Sequence, residues 1–257
     1  MIGRAVYLSV LTCVAGCIWP ADGDEPAELC QEDILVSSSK VFGGTSYPTT
    51  VPLDLGQVMA IGNFEVCSGT LIHPRWVLTA RHCRLTRDDL FCIGEQPDNS
   101  DICIPVAQVI EHANADATLV ELTGAAGRFL PSVRPIPIMT EMMGCSWLGE
   151  TAEAAGYGRT ETGVRGTRFF TAEPIIGLSW RMLSVHGQGR RGLCRGDSGG
   201  PVMVVSSDGI ARVAGTLSGG DASCRGRDEF TRIDRLQDWI IDYTGPAVLG
   251  DPDGKFR

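Results

Sequence analysis

The run Leu193-Cys194-Arg195-Gly196-Asp197-Ser198-Gly199-Gly200-Pro201 decides the reading of this chain. A serine sits between an acid and a pair of glycines. Glycine lets the backbone adopt conformations that a side chain forbids, and lets a ligand carbonyl approach main-chain N–H groups. An acyl-transfer serine needs both an exposed Oγ and N–H donors aimed at a developing oxyanion. The plainer reading of a short Gly/Ser run is a tight turn, so the rest of the chain has to decide between the two.

The 257 residues hold 43% hydrophobic residues, with 32 glycines and 14 prolines, enough for a large core and many turns. Apolar runs are short: 57–61, 71–72, 76–78, 117–122, 201–205 and 211–217. Each is strand-sized and bounded by turn residues, which points to an all-β chain. The formal charge of −9 excludes any general attraction to nucleic acid or to an anionic membrane.

That charge is uneven. Residues 22–40 carry six acids and one lysine, whereas residues 1–21 carry only Arg4. An apolar run from Ala5 to Ile18 is too short to span a bilayer and suits an export signal over residues 1–21. Val14-Ala15-Gly16-Cys17 looks like a bacterial lipobox, with Cys17 as the acylated residue; an ordinary signal cut near Ala21 is the alternative. Residues 22–40 then form an acidic propeptide. Ten cysteines in an exported chain argue for disulfides, and eight remain once Cys13 and Cys17 are set aside. Cys92 and Cys103 bracket a polar loop and read as a local disulfide. The acids Glu95, Asp98 and Asp101 in that loop lack a diagnostic calcium spacing. No Cys-x-x-Cys pair suggests zinc, so neither a metal nor another cofactor is expected.

Two further stretches carry chemistry. Cys67-Ser68-Gly69-Thr70-Leu71-Ile72 leads through a Pro-Arg turn into Trp76-Val77-Leu78-Thr79-Ala80-Arg81-His82-Cys83. His82 offers a side chain whose ordinary pKa suits proton transfer near neutrality. Asp116 precedes the apolar run Ala117–Leu122.

Together these stretches resemble the chymotrypsin/trypsin family of serine peptidases, in its chain order of histidine, aspartate and serine. The resemblance covers roughly residues 41–243. It implies two packed six-stranded antiparallel β-barrels with a C-terminal helix, in a peptidase domain over residues 41–245. Barrel one is expected at about 55–140, barrel two at about 150–232, a helix at 233–243 and a loose tail at 246–257. It implies Ser198 as nucleophile, His82 as base and acid, Asp116 as the residue orienting His82, and the N–H groups of Gly196 and Ser198 as the oxyanion hole. Arg81 stands where the family usually has alanine, and is expected to point away from the base. Lys40-Val41-Phe42-Gly43-Gly44 resembles the activation junction: cutting after Lys40 would free a Val41 ammonium to pair with Asp197. Cys67–Cys83 and Cys194–Cys224 are the implied disulfides, and Cys145, too far upstream for its usual partner, is assigned to Cys30.

In the implied primary pocket, Gly192 takes the floor position, Ser218 and Gly220 belong to the strand that binds substrate backbone, and Gly219 replaces a usual tryptophan. Asp228 falls on a second wall. An acid there favours a basic residue before the cut, although Arg225 or Arg227 pairing with Asp228 would fill the space instead; small or apolar specificity is then the alternative. The resulting expectation is an exported endopeptidase, extracellular, periplasmic or held as an outer-membrane lipoprotein. Its partners would be a protein or peptide substrate and an activating protease. A catalytically silent binding protein and an esterase are the rival functions.

Overall fold

A computed structural model describes residues 44–95, 102–160, 163 and 165–250, together with the backbone of 30–31. The expected signal, lipidation site, propeptide and Lys40–Val41 junction lie outside the described residues.

Two barrels form. In the first, strands β2 (Ile61–Asn63), β3 (Ser68–His73), β4 (Trp76–Thr79), β5 (Leu90–Ile93), β6 (Cys103–Glu111) and β7 (Thr118–Leu122) close in the order β2-β3-β4-β7-β6-β5. Pro74-Arg75 makes the tight β3–β4 turn, with His73 facing Trp76. The second barrel uses β8 (Thr151–Gly156), β9 (Phe169–Leu178), β10 (Met182–His186), β11 (Pro201–Val205), β12 (Ala211–Gly220) and β13 (Arg227–Arg232). Its order is β8-β9-β10-β13-β12-β11, closed by β11 against β8, and β1 (Cys30–Gln31) adds an outer strand to β9. All strand pairings within both barrels are antiparallel, as the resemblance implied. Closure leaves few free edges, which is why short half-apolar strands suffice.

Side chains fill the first barrel. Phe64 and Phe91 meet with centroids 5.1 Å apart, and both are buried. Removing such a ring typically costs about 3–5 kcal/mol. The core of barrel one continues through Ala155, Tyr157, Phe170 and Met203 of the second half, so the barrels are packed into one body.

Two boundaries differ from the sequence reading. After a short helix α1 (Leu55–Val58), the C-terminal helix α2 runs Gln237–Thr244, not from Ile233. Asp234, in the expected first turn, is instead consumed by Arg232, whose buried guanidinium pairs with it at 2.6 Å, and by the Met143 N–H at 3.0 Å. The segment after the helix is not a loose tail as far as Gly250. Pro246–Leu249 form a 3-10 turn, Val248 is buried, and its carbonyl accepts from the Ile138 N–H at 2.9 Å.

Three disulfides have both partners among the described residues: Cys67–Cys83, Cys92–Cys103 and Cys194–Cys224. Cys145 is also disulfide-bonded, while the Cys30 side chain assigned to it lies outside the described residues.

Candidate active site

The site sits between the barrels, at the ends of strands from both. β4 ends at Thr79, and a 3-10 turn over Arg81–Cys83 carries His82. Asp116 stands just before β7, and the two come together because β4 pairs with β7. The Asp116 Oδ1 accepts the His82 backbone N–H at 2.9 Å, and Oδ2 lies 2.7 Å from Nδ1 of the ring. Ser218, near the end of β12, donates its hydroxyl to the same Oδ2 at 2.7 Å, and Thr231 donates to the Asp116 carbonyl at 3.1 Å. Barrel two therefore grips the acid that barrel one presents.

These contacts set the protonation states. Burial alone would raise Asp116, but the hydrogen bonds from the His82 ring, Ser218 and the His82 N–H hold its carboxyl down at about 2. The hydrogen bond to Asp116 raises His82 above its ordinary value, against the opposing effect of burial. With Nδ1 facing a carboxylate, the neutral ring carries its proton on Nδ1 and leaves Nε2 as the acceptor.

Among the described residues no hydrogen bond joins Arg81 to the His82 ring, but Arg81 is not idle. Its Nη1 donates to the carbonyls of His112 and Ala113 at 3.0 and 2.9 Å, pinning the loop that delivers Asp116. His112 Nδ1 accepts from the Ala115 N–H at 2.8 Å and shapes the same loop from within.

The loop that carries Ser198 lies against this arrangement. Ser68 N–H donates to the Ser198 carbonyl at 2.7 Å, and Ser68 Oγ donates to the Gly196 carbonyl at 3.0 Å. Gly199 has φ +78°, and a Cβ there would strike Thr79 Oγ1 and the Ala80 N–H, so only glycine lets the serine turn seat on the strand that leads to His82. Among the described residues, no hydrogen bond joins Ser198 Oγ to His82; such contacts often close only when substrate is bound. The Arg159 N–H holds the Arg195 carbonyl at 2.9 Å, fixing the orientation of the Arg195–Gly196 peptide. Among the described residues, neither the Gly196 nor the Ser198 N–H has a protein acceptor, so both donors remain open to an incoming oxygen.

Asp197 turns inward. Its carboxylate accepts from the Cys194 N–H at 2.8 Å and the Gly158 N–H at 2.7 Å. Burial nonetheless pushes its pKa up to about 6, and no cation among the described residues pairs with it.

A family profile described as trypsin matches residues 43–240. This chain belongs to the trypsin family. Its class is that of the serine-type endopeptidases, whose substrates are proteins. Individual relatives are distant. The trypsin of Squalus acanthias is 27% identical, over 78% of this chain and 94% of that protein. The CLIP domain-containing serine protease HP8 of Bombyx mori is 26% identical, over 80% and 69%. Ovochymase-2 of Mus musculus is 26% identical, over 84% of this chain and 44% of the relative.

Beside Ser198 opens a cleft of about 730 Å³. Asp228, on β13, lines it and is almost wholly buried, with Oδ2 accepting the Leu193 N–H at 2.9 Å. Burial raises its pKa to about 7, the Leu193 bond opposes, and the charges of Asp197 and Asp221 add to the rise. Neither Arg225 nor Arg227 lines the cleft. Arg227 instead pairs with Glu229 at 3.1 Å and donates to Ser184 at 2.9 Å. Gly220 and Gly219 line the cleft, and a Cβ at Gly219 would meet nothing within 4 Å, so this wall is open.

Leu193, beside the expected floor position Gly192, lines the cleft and is buried, and a Cβ at Gly192 would meet the Cys224 carbonyl. The Ser218 hydroxyl is taken by Asp116, which leaves the main-chain role expected of the Ser218–Gly220 strand untouched. The Cys67, His82 and Cys83 atoms cluster closely enough to suggest a metal, but both sulfurs are consumed by their disulfide.

Proposed function

We propose that this trypsin-family chain is an exported endopeptidase that cuts peptide bonds by an acyl-enzyme mechanism. Ser198 Oγ attacks the scissile carbonyl while His82 Nε2 takes its proton and then returns it to the leaving amine. Asp116 holds the ring in the Nδ1–H tautomer and stabilises the imidazolium. The Gly196 and Ser198 N–H groups receive the oxyanion; one such donor is typically worth about 3–4 kcal/mol of barrier. Water then repeats the cycle on the acyl-enzyme. The single observation that carries this reading is the threefold grip on Asp116 by the His82 ring, the His82 amide and Ser218.

The enzyme is made as a zymogen. A carboxylate as deeply buried as Asp197 is costly without a counter-charge, and amide N–H groups are its only partners among the described residues. Cutting after Lys40 supplies the Val41 ammonium, so an activating protease is a partner. Residues 1–21 direct export with Cys17 as the acylated residue, residues 22–40 are the propeptide, and Cys30–Cys145 tethers it. The disulfides fit an oxidising compartment.

Cleavage follows lysine or arginine. Asp228 presents an acid at the cleft, and a bound cation favours its charged form, offsetting the burial that raises it.

The test is Ser198→Ala in protein already cut after Lys40. Loss of peptide hydrolysis with an unchanged melting temperature is expected; full hydrolysis by that variant would remove Ser198 from the mechanism.

A further inference from the structure

Three guanidiniums at the cleft mouth have no task in the chemistry above. Arg159, Arg165 and Arg195 line the same cleft as Ser198, and all three are exposed. Elsewhere this chain gives arginines carboxylates: Arg75–Glu121, Arg134–Asp54, Arg212–Asp208 and Arg232–Asp234 are all ion pairs. No carboxylate among the described residues pairs with the three at the mouth. The two acids that share the cleft are already engaged, Asp228 by the Leu193 N–H and Asp221 by the Ser223 N–H and hydroxyl. In a chain of net charge −9, the mouth is thus, among the described residues, a local concentration of positive charge.

The backbone beneath these side chains is fixed. Arg159 N–H bonds the Arg195 carbonyl at 2.9 Å, Gly166 N–H closes the loop base on the Tyr157 carbonyl at 3.0 Å, and Gly158 N–H bonds Asp197 at 2.7 Å. The backbone of Arg159 and Arg195 is therefore tied to the turn that carries Gly196 and Ser198, and all three arginines line the cleft that the Ser218–Gly220 strand also borders. A substrate lying along that strand with one side chain towards Asp228 sends its leaving-group half over the opposite edge, past Arg195.

We infer that Arg159, Arg165 and Arg195 form a carboxylate-binding subsite that selects substrates carrying Asp or Glu in the first few residues after the scissile bond. The inference rests on the peptidase reading and adds a second charge preference to it. With an acid at one end and arginines at the other, the cleft matches a basic residue followed by acidic ones. Such exposed pairs give modest affinity but effective discrimination.

The test uses internally quenched peptides, all C-terminally amidated so that no terminal carboxylate competes, sharing one acyl half and carrying Ala, Asp or Lys at the first three positions after the cut. The cut enzyme should favour Asp over Ala by roughly fivefold in kcat/KM, and Lys should fall below Ala, with the preference shrinking at high salt. Replacing Arg159, Arg165 and Arg195 together by Gln should bring the Asp/Ala ratio close to one; because the ratio is internal to each enzyme, a general loss of activity does not obscure it. Single Gln variants, each lowering the ratio in part, serve if the triple variant does not fold. Equal rates for Asp and Ala in the unmodified enzyme, or an unchanged ratio in the variants, would overturn the subsite. The same peptides are also titrated onto Ser198→Ala by fluorescence anisotropy. Tighter binding of the Asp series without cleavage by the unmodified enzyme would leave the subsite standing and the peptidase reading refuted. Cleavage without any acid preference would do the reverse.

Discussion

Asp116 Oδ2 lies 2.7 Å from His82 Nδ1, and Oδ1 of the same carboxylate accepts the His82 backbone N–H at 2.9 Å. One acid thus fixes both the ring and the turn that carries it. In the proposed mechanism His82 must be neutral to accept a proton from Ser198, and its pKa is raised by the bond to Asp116. Activity should therefore rise with pH through a midpoint above the ordinary histidine value of 6.5. Asp116→Asn should move that midpoint down and lower kcat on the order of ten-thousand-fold, since an amide no longer selects the useful tautomer. A pH profile of kcat/KM for both proteins checks this; an acid limb that ignores the substitution would separate His82 from Asp116.

Arg81 is expected to matter without touching the reaction. Its two bonds to the His112 and Ala113 carbonyls hold the Asp116 loop. Arg81→Ala should lower kcat by about fivefold to tenfold with little change in KM, consistent with losing roughly 1–1.5 kcal/mol of charge-assisted hydrogen bonding. Steady-state kinetics on a short peptide read this directly, and a pure KM effect would place Arg81 at substrate instead.

The mixture of what could and could not be read from sequence has physical causes. The nucleophile run and the His82 and Asp116 stretches were legible because glycine freedom and apolar alternation are local properties. The short apolar runs gave an all-β chain, and the two barrels were what the family resemblance implied. The grip of Ser218 on Asp116 spans 102 residues and two barrels, and nothing local to Ser218-Gly219-Gly220 marks it. The part that Leu193 plays in lining the cleft was not legible, because it depends on the backbone turn at Gly192, whose φ is +154°. Helix α2 starts late because Asp234 is spent on Arg232, a contact that helical periodicity does not register.

Asp228 governs the residue before the cut on this account. Asp228→Asn keeps an acceptor for the Leu193 N–H while removing the charge. Hydrolysis after lysine or arginine should fall on the order of a hundredfold, as expected when one partner of a buried charge pair is removed. Cleavage after apolar residues should hold or improve. A peptide library sequenced at the cut sites reports both, and unchanged basic preference would assign specificity to another group.

Glu173 makes a stability prediction. Burial, reinforced by the nearby charge of Asp228, pushes its pKa up to about 8 from an ordinary 4.5, with opposing help from Thr171 and Arg191. The folded chain then holds a proton that the unfolded chain releases, so this group lowers stability progressively as pH climbs from about 4.5 to about 8. Glu173→Gln should flatten the decline of Tm across that window. Parallel Tm curves for the two proteins would show that Glu173 does not titrate there.

The convergence of Ser198, His82 and Asp116, and its dependence on the Val41 terminus, is tested most directly by fluorophosphonate labelling before and after cleavage at Lys40, with the adduct located by mass spectrometry. The account predicts rapid labelling on Ser198 alone, only in the cut protein, and none in a cut His82→Ala variant. Labelling of Ser198 at the same rate in uncut protein would contradict the zymogen, and no labelling of a folded protein whose chain begins at Val41 would contradict the site itself.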